Sequence, residues 1–398
     1  MFDGVFSGRR VFVTGHTGFK GSWLTQWLLA LGAHVTGYAL DPPTDPSLFE
    51  ALALGNRRGG MTSARGLKDG RGDVRDFGSL RAALAEAESE VVFHLAAQPI
   101  VRRSYSEPRL TFETNAMGTV NVLEAARGIA AEGLGLRVVV IATTDKCYEN
   151  RETSHAYVET DALGGFDPYS ASKACSELVA AAYRRSFFSG AGAPLIATVR
   201  AGNVLGGGDW GDDRIVPDCV RALTAGEQVV VRNPSAVRPW QHVLEPLSGY
   251  LALAQRLWVG SIPPTPAASA AADAWNFGPS SEGVVTVREI VEAVVREWGS
   301  GEWSGFCGAA EQPHEAGLLM LDASKAEREL EWRPAWTFEE AVAASVRWYR
   351  EWADGGDARR LAHMCLEDIA AYAAAAARAG AAWAGSHPGE VASGAVTV

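Results

Sequence analysis

Basic residues are in the minority: 36 Lys and Arg stand against 47 Asp and Glu in 398 residues, a net charge of −11. A chain of that sign disfavours a nucleic-acid partner, because polyanions are gripped by a surplus of Lys and Arg. Long apolar runs are missing too. No stretch of about 18 uncharged apolar residues occurs, so no membrane-spanning helix is expected. The first ten residues, MFDGVFSGRR, lack the apolar segment of a secretory signal. Cysteine is scarce, and Cys147, Cys175, Cys219, Cys307 and Cys365 are odd in number and without CxxC spacing. That excludes a disulfide framework and a zinc-finger reading, and favours reduced thiols in a cytoplasmic protein with no metal site. No internal repeat with a period of about 20–50 residues is visible.

What is present, 47% hydrophobic residues with 43 Gly and 18 Pro, describes an ordinary globular protein. At about 100–200 residues per domain, the length suggests two or three units. Between residues 10 and 200, short β-branched runs alternate with longer amphipathic ones, the pattern of a parallel sheet with crossover helices. Strands are predicted at 11–14, 34–38, 90–95, 137–142 and 195–200, and helices at 19–31, 77–87, 110–127 and 168–188. A weakly signalled strand falls within 56–72. The expected fold class is α/β, a Rossmann-type doubly wound parallel sheet. After residue 200 the rhythm breaks at Gly206, Gly207 and Gly208, and short apolar runs at 228–231 and 275–277 suggest a smaller, mixed α/β C-terminal lobe. The predicted organisation is residues 1–200 as the first domain, with parts of 240–275 returning to it, residues 201–350 as the lobe, and 351–398 as an Ala-rich helical tail. Residues 370–385 read as a soluble helix or a frayed end, and the Pro/Ala-rich residues 261–272 as a loop.

Thr14, Gly15, Thr17, Gly18, Phe19, Lys20 and Gly21 lie between the first predicted strand and the first predicted helix. A glycine-lined turn there lets backbone N–H groups approach a pyrophosphate at a helix N-terminus, so these residues are candidates for holding a dinucleotide. The GxxGxxG spacing points to short-chain dehydrogenases. Asp41, 20 residues past Gly21, is a candidate ribose ligand and favours NAD. Asp73 and Val74 are candidates for the adenine, and the small residues of Leu95, Ala96 and Ala97 let the cofactor pass closely.

Tyr169 and Lys173 are four residues apart behind an Asp167-Pro168 helix start, which puts both on one helical face. The spacing predicts that the ammonium lowers the pKa of the phenol, fitting it to remove a hydroxyl proton. A predicted core strand runs into Thr143, Thr144, Asp145 and Lys146, a polar cluster at the sheet edge where parallel sheets bind ligands.

GHTGFKGSW at 15–23, AAQP at 96–99, TDKCY at 144–148, DPYS at 167–170, RAGNV at 200–204, GGGDW at 206–210 and RPWQHVLEPL at 238–247 together resemble the extended short-chain dehydrogenases that modify nucleotide sugars. Within them the resemblance is to the CDP-glucose 4,6-dehydratases, and it covers residues 5–350. It implies that Tyr169 takes the C4 hydroxyl proton, Thr144 hydrogen-bonds that oxygen, Lys173 holds the nicotinamide ribose, and Asp145 protonates the departing C6 hydroxyl. It also places Thr143 and Arg200 beside the cofactor. Related dTDP-glucose enzymes carry glutamate where Lys146 stands, so Lys146 is either a base for C5 or a cation that orients Asp145 or stabilises enolate charge while another group or a water acts as base. The resemblance puts Asn203, Arg238 and Asn276 around the substrate diphosphate, with Arg214 and Arg232 near the base and ribose. Gln98, Gln241, His242 and His314 complete the candidate substrate contacts.

The implied activity is NAD-dependent dehydration of CDP-D-glucose to CDP-4-dehydro-6-deoxy-D-glucose. A nucleotide-sugar 4-epimerase, a dehydratase for another NDP-hexose and a non-catalytic redox-sensing protein are the alternatives. The implied partners are a nucleotide sugar and a second copy of the chain, paired through the helices at 110–127 and 168–188 as a four-helix bundle.

Overall fold

The computed structural model describes residues 1–55, 66–190, 192–261, 265–280, 283–305 and 317–385. Its centre is a seven-stranded sheet built from β1 (Arg10–Thr14), β2 (His34–Ala39), β3 (Leu67–Arg71), β4 (Val91–His94), β5 (Val138–Ala142), β7 (Leu195–Ala201) and β11 (Ala274–Phe277). The order is β11-β7-β5-β4-β1-β2-β3, and every pairing is parallel. This is the doubly wound architecture expected from the sequence.

Strand residues alternate between two cores. Val11, Val13, Val91, Phe93, Val138 and Val140 pack on one face of the sheet, and Phe12, Val92, Val139 and Ile141 on the other. Period-two alternation with both sides apolar is what a sheet covered by helices on both faces requires. Phe77–Ala87, Gly118–Ala131 and Pro168–Ser186 cover the second face. Phe19–Ala30 and Leu244–Val259 cover the first, and both are apolar nearly all round because further helices lie outside them.

The remaining strands form a smaller part above the C-terminal edge of the sheet. β8 (Asn203–Leu205), β10 (Val237–His242) and β12 (Val284–Thr286) make a mixed three-stranded sheet. β9 (Val229–Val231) pairs with β13 (Trp303–Gly305), and β6 (Ala156–Tyr157) with β14 (Met320–Leu321). The Trp23 indole donates to the Gly207 carbonyl at 3.0 Å, tying the first helix to this part.

Four local expectations change. The single helix predicted at 110–127 is Pro108–Phe112, a π turn over Glu113–Met117, and Gly118–Ala131. The extra residue in the π turn carries Asn115 inward, to 1% exposure. The loop predicted at 261–272 contains the helix Pro266–Ala271, started by a Thr265 side-chain cap and a proline in its first turn. The run at 275–277, placed in the smaller lobe, belongs to β11 in the main sheet. The frayed end considered for 370–385 is instead docked structure. Ala358–Arg378 packs on the first helix, with Tyr372 and Trp383 stacked at 5.9 Å, and Trp383 stacked on Phe2 at 4.9 Å. The weakly signalled strand is β3; residues 56–65 of that segment lie outside the described residues.

Candidate active site

The turn after β1 is built for close approach. Gly15 has φ +74°, and a Cβ there would stand 2.7 Å from the Ala96 nitrogen; a Cβ on Gly21 would stand 2.0 Å from the Gly15 carbonyl oxygen. Thr14 Oγ1 accepts from the Leu95 and Ala96 amides at 3.2 Å each, which ties this turn to the end of β4. Thr17 donates to the Leu40 carbonyl at 3.0 Å. Buried His16 lies 2.8 Å from Asp69 in β3, and its ring fills the space a Cβ on Gly37 would need. The following helix begins at Gly18 with no side chain capping it, and only the Gly15 carbonyl oxygen, 3.5 Å away, faces a Cβ added to Gly18. A turn this tight, opening onto an uncapped helix start, fits a dinucleotide pyrophosphate.

The two acidic candidates for the adenosine end differ. Asp41 is exposed just beyond β2, 3.7 Å from Arg71. Asp73 follows β3, and hydrogen bonds from Arg75 hold its carboxyl below the ordinary range. Val74 is buried beside it, and its carbonyl accepts from Asn121.

At the end of β5 the chain turns through Asp145–Cys147, with the Thr144 hydroxyl accepting from the Lys146 amide. Thr144 donates to Asp145 Oδ1 at 2.9 Å, and Lys146 Nζ lies 3.4 Å from the same oxygen and 3.3 Å from Asn203 Oδ1. Asp145 Oδ2 is buried and has no hydrogen-bond partner among the described residues. Gly202 leaves room for it, since a Cβ there would come within 3.2 Å. An acid with one oxygen fixed and the other unengaged is suited to proton delivery.

Tyr169 and Lys173 share the face of the helix Pro168–Ser186, started by the Asp167 cap, and both are buried. Lys173 Nζ donates to the Ala142 carbonyl at 3.0 Å, and burial lowers its pKa to about 8. The expected lowering of the phenol by Lys173 is not met: burial pushes Tyr169 up to about 12, and the groups that pull it down are the Thr144 hydroxyl and the Arg214 guanidinium. Lys20 joins this cleft. Burial lowers it to about 8, Arg214 and Lys173 act in the same direction, and Asp145 and Asp209 oppose them.

A buried tyrosine and lysine four residues apart, a Thr-Asp pair and a glycine turn thus meet at one sheet edge. A family profile for GDP-mannose 4,6 dehydratase matches residues 12–345. The chain belongs to that family. It is 48% identical over 362 residues to a CDP-glucose 4,6-dehydratase of Salmonella typhimurium, covering 90% of this chain and 95% of that one. It is 29% identical to a dTDP-glucose 4,6-dehydratase of Streptomyces antibioticus, over 86% of this chain and 92% of that one. Among solved structures, a dTDP-glucose 4,6-dehydratase from Streptomyces venezuelae with NAD and TYD bound matches with TM-score 0.69 and 27% identity. The match covers 86% of this chain and 97% of that one.

Other candidate residues of this dehydratase-family chain divide into those facing the cleft and those committed elsewhere. Arg214 lies 3.5 Å from Asp209, and Arg232 2.8 Å from Asp213. Arg238 donates to the Val237 and Gly317 carbonyls. Arg200, expected beside the cofactor, is buried in an ion pair with Glu177 at 2.8 Å and donates to the Tyr148 hydroxyl at 2.7 Å. Asn276, expected at the diphosphate, is fully buried: its amide donates to the Tyr157 and Asp322 carbonyls, and its oxygen accepts from Tyr148. Gln98 is likewise occupied, donating to the Ile100 carbonyl and Thr111 and accepting from the Ile100 amide. Gln241 donates to the Phe277 carbonyl. His242 accepts from the Leu244 amide between Trp23 and Trp336, and burial lowers it to about 3, so it is neutral. His314 lies outside the described residues. No group of three or more His, Cys, Asp or Glu able to hold a metal occurs among the described residues.

Two polar residues that no motif singled out support the site. Asn115 accepts from the Gln98 amide at 2.8 Å and donates to the Ser172 hydroxyl at 2.9 Å; Ser172 in turn donates to the Tyr169 carbonyl at 2.7 Å. The second is Glu177, one turn beyond Lys173. Its position four residues after Lys173 was the available signal; Asn115 had none, because its role depends on the π turn.

Proposed function

We propose that this chain catalyses NAD-dependent 4,6-dehydration of CDP-glucose. The observation that carries the reading is Asp145, with an unengaged buried oxygen, standing next to Thr144 at the sheet edge that also receives Tyr169. The 48% identity to a CDP-glucose 4,6-dehydratase supports the nucleotide and sugar. NAD fits the turn at Gly15, Gly18 and Gly21, where backbone rather than side chains faces the ligand.

NAD held at the turn of Gly15, Gly18 and Gly21 would supply the hydride acceptor for C4 and the hydride donor for C6, so that the reaction would be redox-neutral overall. Tyr169 takes the C4 hydroxyl proton while the Thr144 hydroxyl holds that oxygen in place. Lys173, fixed on the Ala142 carbonyl, leaves its remaining N–H donors for the nicotinamide ribose. The 4-ketone acidifies C5. A water molecule takes the C5 proton as the C6 hydroxyl departs, and Asp145 protonates that hydroxyl so that it leaves as water. Lys146, bonded to Asp145 and Asn203, acts as a cation that orients the acid and steadies enolate charge. The proton removed from C5 is returned as C6 receives hydride.

A 4-epimerase has no leaving hydroxyl and no use for an acid at Asp145. The test is incubation with CDP-glucose followed by alkali, which develops the absorbance of a 4-keto sugar. Formation of CDP-galactose without ketone refutes the reading. Tyr169→Phe is expected to retain NAD and lose turnover by about 10²–10⁴-fold.

A homodimer and a cytoplasmic location belong to the same reading. Met117 and Leu178, on the segments expected to pair, are 51% and 58% exposed, and Phe187 is 51% exposed at the end of the second helix. Apolar side chains on adjoining helices fit a second copy of this chain. Leu178→Asp is expected to halve the mass measured by sedimentation.

A further inference from the structure

We propose that Glu177 is a positioning residue for the cofactor, an anion built beneath Lys173 to keep it an ammonium where the nicotinamide ribose is held. The inference rests on the cofactor role assigned to Lys173 above. Glu177 and Arg200 are each 3% exposed, a placement that is costly for a carboxylate unless every lone pair is answered. The answers come from two strands. Thr143, at the end of β5, donates to Oε1, while Thr198 and Arg200 of β7 donate to Oε2 at 2.7 and 2.8 Å. Arg200 is itself held by the Tyr148 hydroxyl and the Glu159 carbonyl at 3.2 Å, and its guanidinium lies over the Tyr148 ring at 4.9 Å. These donors hold the Glu177 carboxyl below the ordinary range despite burial.

If the pair served only to hold the strands and helix together, apolar side chains of similar volume would serve as well or better. The location argues for a charge. Residues four apart on a helix are neighbours, so Glu177 stands one turn from Lys173 on the face that carries Tyr169, and its charge acts on the Lys173 ammonium. The groups facing Lys173 are Glu177 on its own helix, Cys147 after β5, His94 at the end of β4 and Lys20 on the first helix. Burial pushes the Cys147 thiol up and the His94 ring down, so both are neutral at pH 7, and Lys20 repels. Glu177 is the carboxylate in this set and the first of the groups that oppose the burial of Lys173, ahead of Cys147.

The test reads NAD affinity of the full-length, NAD-stripped protein by calorimetry between about pH 6 and pH 9, with no sugar present. Lys173 loses its proton within that window, so affinity of the unaltered protein falls along its alkaline side. Glu177→Gln removes the charge and is expected to move that limb down by about one pH unit, making binding about tenfold weaker on the alkaline side and little changed near pH 6. Thr198→Val keeps the carboxylate and loses one hydrogen bond, so its limb stays in place. If both variants merely lower the melting temperature and leave the limb unmoved, the inference is overturned. Should Glu177→Gln not fold, the double variant Glu177→Met with Arg200→Met removes the anion without leaving a charge unpaired, and the same downward shift is expected of it. Failure of the unaltered protein to bind NAD overturns the inference as well. NAD binding with no turnover of CDP-glucose refutes the proposed function and leaves this result standing.

Discussion

Glu245 offers a quantitative check on the docking of the C-terminal helix. Its carboxyl is fully buried in the helix Leu244–Val259, accepting from the Ala335 and Trp336 amides at 3.0 and 2.8 Å and lying 2.7 Å from the Tyr372 hydroxyl. Tyr372 is 2.9 Å from Ser248 Oγ, which also accepts from the Trp332 indole and donates to the Glu245 carbonyl. The Tyr372 hydroxyl donates to Glu245 Oε2 and, with the two amides, pulls the carboxyl's pKa down, but burial outweighs them. Burial raises its pKa from 4.5 to about 7. As pH rises from 4.5, the unfolded chain releases this proton while the folded chain keeps it, so stability falls until about pH 7 and then levels off. The loss is about 3 kcal/mol at 1.36 kcal/mol per unit. Glu245→Gln stays neutral and can make the same contacts, so its stability lacks this slope. Asp368, also pushed up to about 7 by burial, slopes in both proteins and cancels from the difference. Urea unfolding at several pH values from about 5 to 8.5 is the assay. The variant's midpoint is expected to gain on the parent's by roughly 1 M across that range, for an m-value of about 3 kcal/mol/M. Parallel pH profiles for the two proteins would refute the argument that Glu245 is kept protonated by burial.

Gly15→Ala forces a Cβ into the backbone of Ala96 at a positive φ, so NAD affinity is expected to fall at least about tenfold by calorimetry, with a lower melting temperature. Asp145→Asn leaves Thr144 and Tyr169 in place for the oxidation of C4 by NAD but has no proton for the leaving hydroxyl. The absorbance of reduced NAD is expected to build up after CDP-glucose is added, while 4-keto-6-deoxy product forms about 10²–10⁴-fold more slowly. His16→Ala breaks the tie from the glycine turn to Asp69 in β3 and opens a cavity against Gly37, so stability and NAD affinity are expected to fall together, measured by melting and calorimetry.

The glycine turn, the strand running into Thr144 and Asp145, and the Tyr169/Lys173 face were legible because each is a local pattern of a few residues on one element. The protein partners of Arg200, Asn276 and Gln98 were hidden for a common reason. A polar side chain looks the same in a sequence whether its partner is a ligand or another group of the protein, and here Glu177 and Tyr148 engage Arg200, the Tyr157 and Asp322 carbonyls engage Asn276, and Ile100 engages Gln98. The raised phenol of Tyr169 was hidden likewise, since burial depends on the elements that close over the helix and spacing reports only the neighbour at Lys173. The π turn at Glu113–Met117 left no mark because its residues suit an α-helix equally well.

The late arrival of β11 bears on how the chain is made. The sheet lacks its outermost strand until Ala274–Phe277 has emerged from the ribosome, although β7, its neighbour, is finished at Ala201. At about 5–20 residues per second, roughly four to fifteen seconds separate the two. Throughout that interval the nascent chain carries β7 as an open edge, with unpaired N–H and C=O groups facing any other strand nearby. A ribosome that stalls between these points, or a fragment cut there, leaves six of the seven strands with a sticky open edge instead of an independent nucleotide-binding unit.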